Sequence, residues 1–400
     1  MAIHREISMI RYKHILTDAN VLYQAFQDAR RGSSWKPAVQ QYEANLMSNI
    51  NGLQKELLTQ TYRSDPVNLF IGCERGKTRP ISSRTIRDRI VRHALCDNIL
   101  VPQLRRKLIY DNGSSLKGKG VGFTKARFDA HLQKFYRLHG NDGYILFGDF
   151  SKYYDNIRHD LVLKDINEVI QCDYCAWLLK TIIDGFRIDV SYMSDDDYAH
   201  CLETKFDRLK YWESVSPKRW TGQKYMDKGI DIGDQVSQII GVYYPHRIDD
   251  YVKIVCGEHF YARYMDDWYI ISESKERLHE LLAGIRKIAG EYGLFINDNK
   301  THIVKLSGTF RFLQTRYSLT DTGRIIKKIN PKTVVRMRRK LKKMAVKVEN
   351  KELPYHAVEQ AFKSWMGTYE PIMSQQTKES ITNLYNELFI YPWIEGRMRS

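Results

Sequence analysis

The segment HFYARYMDDWYIIS, His259 to Ser272, sets two adjacent carboxylates, Asp266 and Asp267, between two runs of aromatic and aliphatic residues. Apolar runs on either side of Met265-Asp266 predict two strands joined by a tight hairpin. Neighbouring carboxylates repel each other, and burying one is costly unless a cation or a hydrogen-bond donor compensates it. The pair is therefore either a solvated turn or a place where positive charge gathers. Two other acidic clusters raise no such question. Asp195, Asp196 and Asp197 (YMSDDDY, 192–198) fall in a polar stretch and read as solvated loop residues, and Asp249 and Asp250 (RIDDYV, 247–252) read as the exposed face of a helix.

Upstream, Tyr144-Ile145-Leu146-Phe147 is a continuous apolar run, as expected of a strand buried on both faces, and it ends at Gly148-Asp149. A carboxylate at the C-terminal end of such a strand lies where ligands gather in α/β folds. If the hairpin pairs with that strand, Asp149 and Asp266 face each other across a gap suited to Mg²⁺ or Mn²⁺, the hard cations that carboxylate sites select. Two such ions, roughly 3.5–4 Å apart, clamp the attacking and leaving oxygens of a phosphoryl displacement.

Around this centre, residues 15–60 have helical spacing, and Cys73–Ser83 (CERGKTRPISS) reads as a polar turn running into an extended segment fixed by Pro80. Helices are predicted over 84–100, from about Asp160, and over 275–292. Residues 184–228 are polar, aromatic and poorly periodic, and read as an insertion. After Pro331 comes a basic helix. Strands and helices alternate in the middle third and helices fill both ends, which predicts an α/β centre flanked by helical parts.

The 400 residues carry 63 Lys and Arg against 47 Asp and Glu, a formal charge of +16. That excess points to a polyanionic partner, nucleic acid before membrane. No apolar run approaches the roughly 18–20 residues that cross a bilayer, and the charged N-terminus does not read as a signal peptide, so a cytoplasmic protein is expected. The six cysteines have no framework spacing. Cys172 and Cys175, with His200-Cys201, form at best a weak zinc reading because the second half lacks normal spacing.

Read in order, these pieces resemble the reverse transcriptases over nearly the whole chain. FGDFSKYYDNI (147–157) is similar to that family's first catalytic motif and YMDD (264–267) to its second. KTRPIS (77–82) and RDRIVRHAL (87–95) resemble the fingers motifs, and GIDIGDQVSQIIG (229–241) the palm helix. INDNKTHIV (296–304) resembles the motif that carries a lysine near the pyrophosphate, and FRFLQTRYSL (310–319) the primer grip. The resemblance implies an α+β right-hand polymerase: N-terminal helices and fingers over 1–140, a palm with an antiparallel sheet over 141–308, and a primer grip with a basic helical thumb over 309–400.

It also implies roles. Asp149, Phe150, Asp266 and Asp267 would hold the metals, and Lys300 would stabilise the departing pyrophosphate. Lys77 and Arg79 would take the triphosphate, Arg offering a bidentate fork. Tyr154, five residues after Asp149, would clash with a ribose 2′-OH. Gln235, Ser237 and Gln238 would meet the base pair or template, and Arg87 and Arg89 the template phosphates. Arg336, Arg339, Lys340 and Lys343 would track the duplex backbone. Expected partners are dNTPs, a structured non-coding RNA template and a DNA product, with an accessory protein or a second copy of the chain possible and no membrane. The chain is too short beyond its thumb for an RNase H domain, and its palm helix reads GDQVSQ rather than PQGG. It thus resembles the compact prokaryotic enzymes of antiviral defence or of diversity-generating retroelements, the long insertion favouring defence. A non-catalytic RNA-binding scaffold and a ribonucleotide polymerase are the alternatives.

Overall fold

A computed structural model describes residues 2–74 and 77–390 of the chain. The chain divides into two compact units. The first comprises Met1–Arg127, Leu146–Ile270 and Glu276–Ile303, and the second Phe128–Ile145, Ile271–Lys275 and Val304–Ser400.

Four separate helices, rather than one periodic stretch, occupy the N-terminal region of the first unit: Ala2–Leu16, Ala19–Arg30, Pro37–Ala44 and Leu46–Leu58. Asp18 caps the Ala19–Arg30 helix, its carboxylate accepting from the Asn20 and Val21 amides at 2.7 and 3.2 Å, the usual way of satisfying orphan donors at a helix start. The expected extended segment near Pro80 is the second strand of a hairpin. Strand β1 (Asn68–Glu74) pairs antiparallel with β2 (Lys77–Ser83); β1 had no periodic signal of its own. The helix Ile86–Leu95 follows, capped by Thr85.

The central sheet runs in the order β4-β5-β3-β6, made of β3 (Tyr144–Gly148), β4 (Tyr261–Tyr264), β5 (Asp267–Ser272) and β6 (His302–Lys305). Strand β3 is the central apolar strand the sequence predicts, and Ile145 and Leu146 have no exposed surface. In β4 and β5, Tyr264 stands opposite Asp267, leaving Met265 and Asp266 as a two-residue turn. The Gln235–Tyr243 helix begins at Asp234, whose side chain accepts from the Val236 and Ser237 amides.

The 184–228 stretch, read as a polar and poorly periodic insertion, has a folded interior of its own. It forms helices Asp195–Glu203 and Arg208–Ser214 around a small core of Ile188, Val190, Phe206, Tyr211, Val215 and Met226. Asp195 to Asp197 therefore open a helix rather than line a loop, where their charge favours the N-terminal end of the helix dipole. The buried Lys228 ammonium closes the other end of that helix on the Leu202 and Thr204 carbonyls, at 3.1 and 2.7 Å.

In the second unit, β7 (Thr309–Phe312), β8 (Thr315–Leu319) and β9 (Ile325–Ile329) form an antiparallel meander. One face packs Phe310, Phe312 and Tyr317 on Phe128. The basic helix Pro331–Glu349, capped by Asn330, buries Met337 and Leu341 with Val358, Phe362, Ile381, Tyr385 and Phe389. Among the described residues, no helix is long and apolar enough to cross a membrane.

Candidate active site

The hairpin turn is held by its neighbours. Met265 has a φ of 56°, a left-handed conformation that an unbranched side chain tolerates better than a β-branched one. Its amide donates to Ser114 Oγ and its carbonyl accepts from Arg263 Nη1 at 3.1 Å. Arg263, fully buried, also grips Asp249 with Nε and Nη2 at 2.8 and 2.6 Å, and donates to the Val242 carbonyl at 2.8 Å. Asp249 is thus not on an exposed helix face as expected. It is 1% exposed, with Tyr261 Oη as a further donor at 2.6 Å. Helix periodicity could not reveal this, because its partner lies fourteen residues downstream on a strand.

Asp149 immediately follows β3. The chain beyond it is stitched to 295–297 by Ser151 N to Phe295 O at 2.7 Å and Asn297 N to Asp149 O at 2.8 Å. This brings Asn297 Nδ2 to Asp149 Oδ1 at 3.0 Å and the Lys300 ammonium onto Oδ2. Sequence reading missed Asn297, which had no charge to mark it. Gly148 fixes the spacing to the hairpin, since a β-carbon there would stand 2.0 Å from the Trp268 ring on β5.

One cavity of about 620 Å³ is lined by Lys77, Arg79, Asp149, Phe150, Tyr154, Met265, Asp266, Asn297 and Lys300, all from the first unit. Burial raises the Asp266 carboxyl above its ordinary range, and the Asp149 charge adds to the effect. Asp267 is pushed up to about 7 by burial and then by the charges of Asp266 and Asp149, so the three carboxylates share one electrostatic field. Negative charge is in excess there, and Lys300 already answers part of it.

The donor set fits a hard divalent cation. Among the described residues, no three His, Cys, Asp or Glu side chains form a ready cage. Mg²⁺ commonly takes only one or two carboxylates and completes its shell with water and substrate phosphates, and cationic Lys77 and Arg79 line the same cavity. The Phe150 side chain is buried and apolar, so its carbonyl oxygen is the only ligand it offers. The zinc reading gains nothing: among the described residues no three His, Cys, Asp or Glu side chains gather as metal ligands, and Cys172 caps its own helix, its sulfur accepting from Cys175 N at 3.4 Å.

Tyr154 stands beside the hairpin. A β-carbon at Gly241 would lie 2.9 Å from its hydroxyl and 3.5 Å from Met265 Cε, so the glycine makes room for the ring. The other expected residues are dispersed. Gln238 is exposed, whereas Ser237 is fully buried and Gln235 donates to Asp97 Oδ1 at 2.8 Å. Arg87 is held by Glu56 and Asp65, and Arg89 by the Ala29 carbonyl and Ser33 Oγ. Both arginines, expected to meet template phosphates, are committed inside the first unit. Arg336, Arg339, Lys340 and Lys343 are exposed along the basic helix of the second unit.

Residues 68–317 match the family described as reverse transcriptase (RNA-dependent DNA polymerase). Among curated proteins, the chain is similar to Protein YkfC of Escherichia coli K12, 24% identical over 298 residues, which span 68% of this chain and 72% of that protein. It is also similar to the telomerase reverse transcriptase of Oryza sativa subsp. japonica, 25% identical over 202 residues, or 39% of this chain and 16% of that protein.

Proposed function

Because the chain belongs to the reverse transcriptase family and is an RNA-directed DNA polymerase, we propose that Asp149, Asp266 and Asp267 form its metal-binding centre and that the first-unit cavity takes the incoming dNTP. The observation that carries this reading is the convergence of Asp149 and Asp266 on one cavity with Lys77, Arg79 and Lys300. Asp149, Asp266 and Asp267, with the Phe150 carbonyl, would hold Mg²⁺ or Mn²⁺, which would supply Lewis acidity toward the primer 3′-OH and the triphosphate. The protein's own groups do the rest. Lys77 and Arg79 neutralise and orient the phosphates, Arg by a planar fork. Lys300 holds Asp149 and is placed to stabilise negative charge as the pyrophosphate departs. Tyr154 fills the space a ribose 2′-OH would occupy and so favours deoxynucleotides. Gln238, exposed on the helix after Gly233, meets the base pair without demanding a sequence.

We assign 1–140 to N-terminal helices and fingers, 141–308 to the palm and 309–400 to the primer grip and thumb, a right-hand arrangement. The template in this reading is a structured non-coding RNA and the setting is antiviral defence in a bacterial cytoplasm. Its support is the folded 184–228 insertion, which the diversity-generating reading leaves without a role. Sequencing the nucleic acid that co-purifies with the protein tests the template; a variable-repeat transcript instead of a fixed structured RNA would favour diversification. The catalytic assignment is tested with Asp266→Ala/Asp267→Ala. It should abolish Mg²⁺-dependent dNTP incorporation and leave RNA binding largely intact, and undiminished incorporation would overturn it.

A further inference from the structure

The second unit carries a row of cations that its own fold does not explain. Arg311 on β7 stands directly opposite Arg316 on β8, which stands opposite Lys328 on β9. Residues opposite each other in a sheet project from one face, and like charges so placed are destabilising. Among the described residues, none of the three side chains has a hydrogen-bonding or ionic partner. The other face of the same sheet is the buried one that packs on Phe128. The row is therefore a cost to folding that an external anion would relieve.

The row continues into a cavity of about 580 Å³ lined by Arg316, Lys328 and Arg338, by Lys327 (paired with Asp129), and by the apolar Val335 and Met373. A smaller cavity beside it, about 360 Å³, is lined by Arg338, Lys342, Ser380 and Asn383, with Glu387 as its one carboxylate. On the Pro331–Glu349 helix, Arg338 and Lys342 are four residues apart and share a flank. Arg336, Lys340, Lys343 and Lys347 form the opposite flank, with the buried Met337 and Leu341 between the two, and none of them lines either cavity. The helix thus carries two basic faces, of which a single duplex-tracking stripe accounts for one.

We propose that this second face, from Lys328 through Arg338 to Lys342, binds the phosphodiester backbone of single-stranded RNA, separately from the primer–template duplex. The face is concave and mixes cations with hydroxyl, amide and apolar groups. That mixture suits a strand whose bases are unstacked and accessible, whereas a duplex offers such a groove little but phosphates. The inference rests on the polymerase reading, because it assigns to the template RNA a segment held outside the duplex.

The test compares wild type with Lys328→Gln/Arg338→Gln/Lys342→Gln, using a single-stranded RNA of about 12 nucleotides, within the 4–16 that basic grooves track, and a short RNA–DNA primer–template. The variant should bind the single strand at least about tenfold more weakly. Its slope of log K against log salt should be shallower by about 2, or roughly 0.7 per lost contact. Primer–template affinity and dNTP incorporation should not change, and Lys328→Arg/Arg338→Lys should restore single-strand binding. Unchanged single-strand binding in the glutamine variant overturns the proposal. So does an equal loss on both probes, which would place these side chains on the duplex. Failure of the wild type to incorporate dNTPs would instead strike the polymerase reading, a separate outcome.

Discussion

Replacing Arg263 by Met should open the aspartate hairpin. Arg263 and Asp249 are 0% and 1% exposed, and their two hydrogen bonds at 2.8 and 2.6 Å form a bidentate pair. With the guanidinium gone, the Asp249 carboxylate keeps only the Tyr261 hydroxyl, and the Met265 and Val242 carbonyls each lose a donor. Breaking one side of a buried ion pair costs about 3–5 kcal/mol, because the survivor is left charged in a poor solvent. At ~1.4 kcal/mol per decade, that raises the open population of the hairpin by roughly 10²- to 4 × 10³-fold. Hydrogen–deuterium exchange of peptides covering Tyr261–Ser272 reads that population directly, which suits a chain of two units whose global unfolding need not be two-state. Arg263→Met/Asp249→Leu should recover much of the loss, since no charge is then stranded. Exchange in Arg263→Met within a factor of about 3 of wild type, where surface ion pairs fall, would refute the reasoning. Strict additivity in the double variant would refute it as well.

Tyr154→Val should lower dNTP-over-rNTP selectivity by roughly 10–200-fold, the worth of one steric group in a pocket, while Gly241→Ala, by displacing the ring, should impair incorporation of both; competitive incorporation assays check each. Buried His159 donates to the Gly229 carbonyl at 2.7 Å, and burial, aided by the charges of Arg187 and Arg208, holds its pKa down at about 4 against that hydrogen bond and the Asp227 charge, which favour protonation. The unfolded chain binds this proton first, so the associated stability is present above pH ~6.5 and is lost as pH falls toward 4, by up to roughly 3 kcal/mol. Thermal melts across that window should lose this slope in His159→Asn. Arg84 and Arg208 both bind Asp231, and Ser82 N donates to the Ile232 carbonyl at 3.1 Å, tying β2 to the 229–234 loop. Asp231→Asn should therefore raise the KM for dNTP more than it lowers kcat in steady-state assays, because Lys77 and Arg79 ride on β2.

The features most legible in the sequence were those whose signal is local. The hairpin at Met265-Asp266, the apolar strand ending at Asp149 and the Pro-initiated basic helix each announce themselves within a dozen residues. Ser114, Asn297 and the Arg263–Asp249 pair escaped because a hydrogen bond between distant residues leaves no periodicity and no composition bias. The partners of Arg87 and Arg89 are hidden for a related reason: a charged helix face looks solvated until the carboxylate or carbonyl that meets it is known. The 184–228 core was missed because its six apolar members are spread over about forty residues, too sparse for any window to register.

The Gly148–Trp268 contact has a consequence for how such a centre can vary. The indole occupies the volume that any side chain at position 148 would need, one residue from Asp149 on one strand and one residue from Asp267 on the other. The separation of the acidic groups is thus gauged by an absent methyl group and a ring that fills its place. Drift at either position alone would pry the strands apart, so the two should be inherited as a single unit, and a compensated pair of changes would be the only route by which the spacing of the carboxylates is retuned.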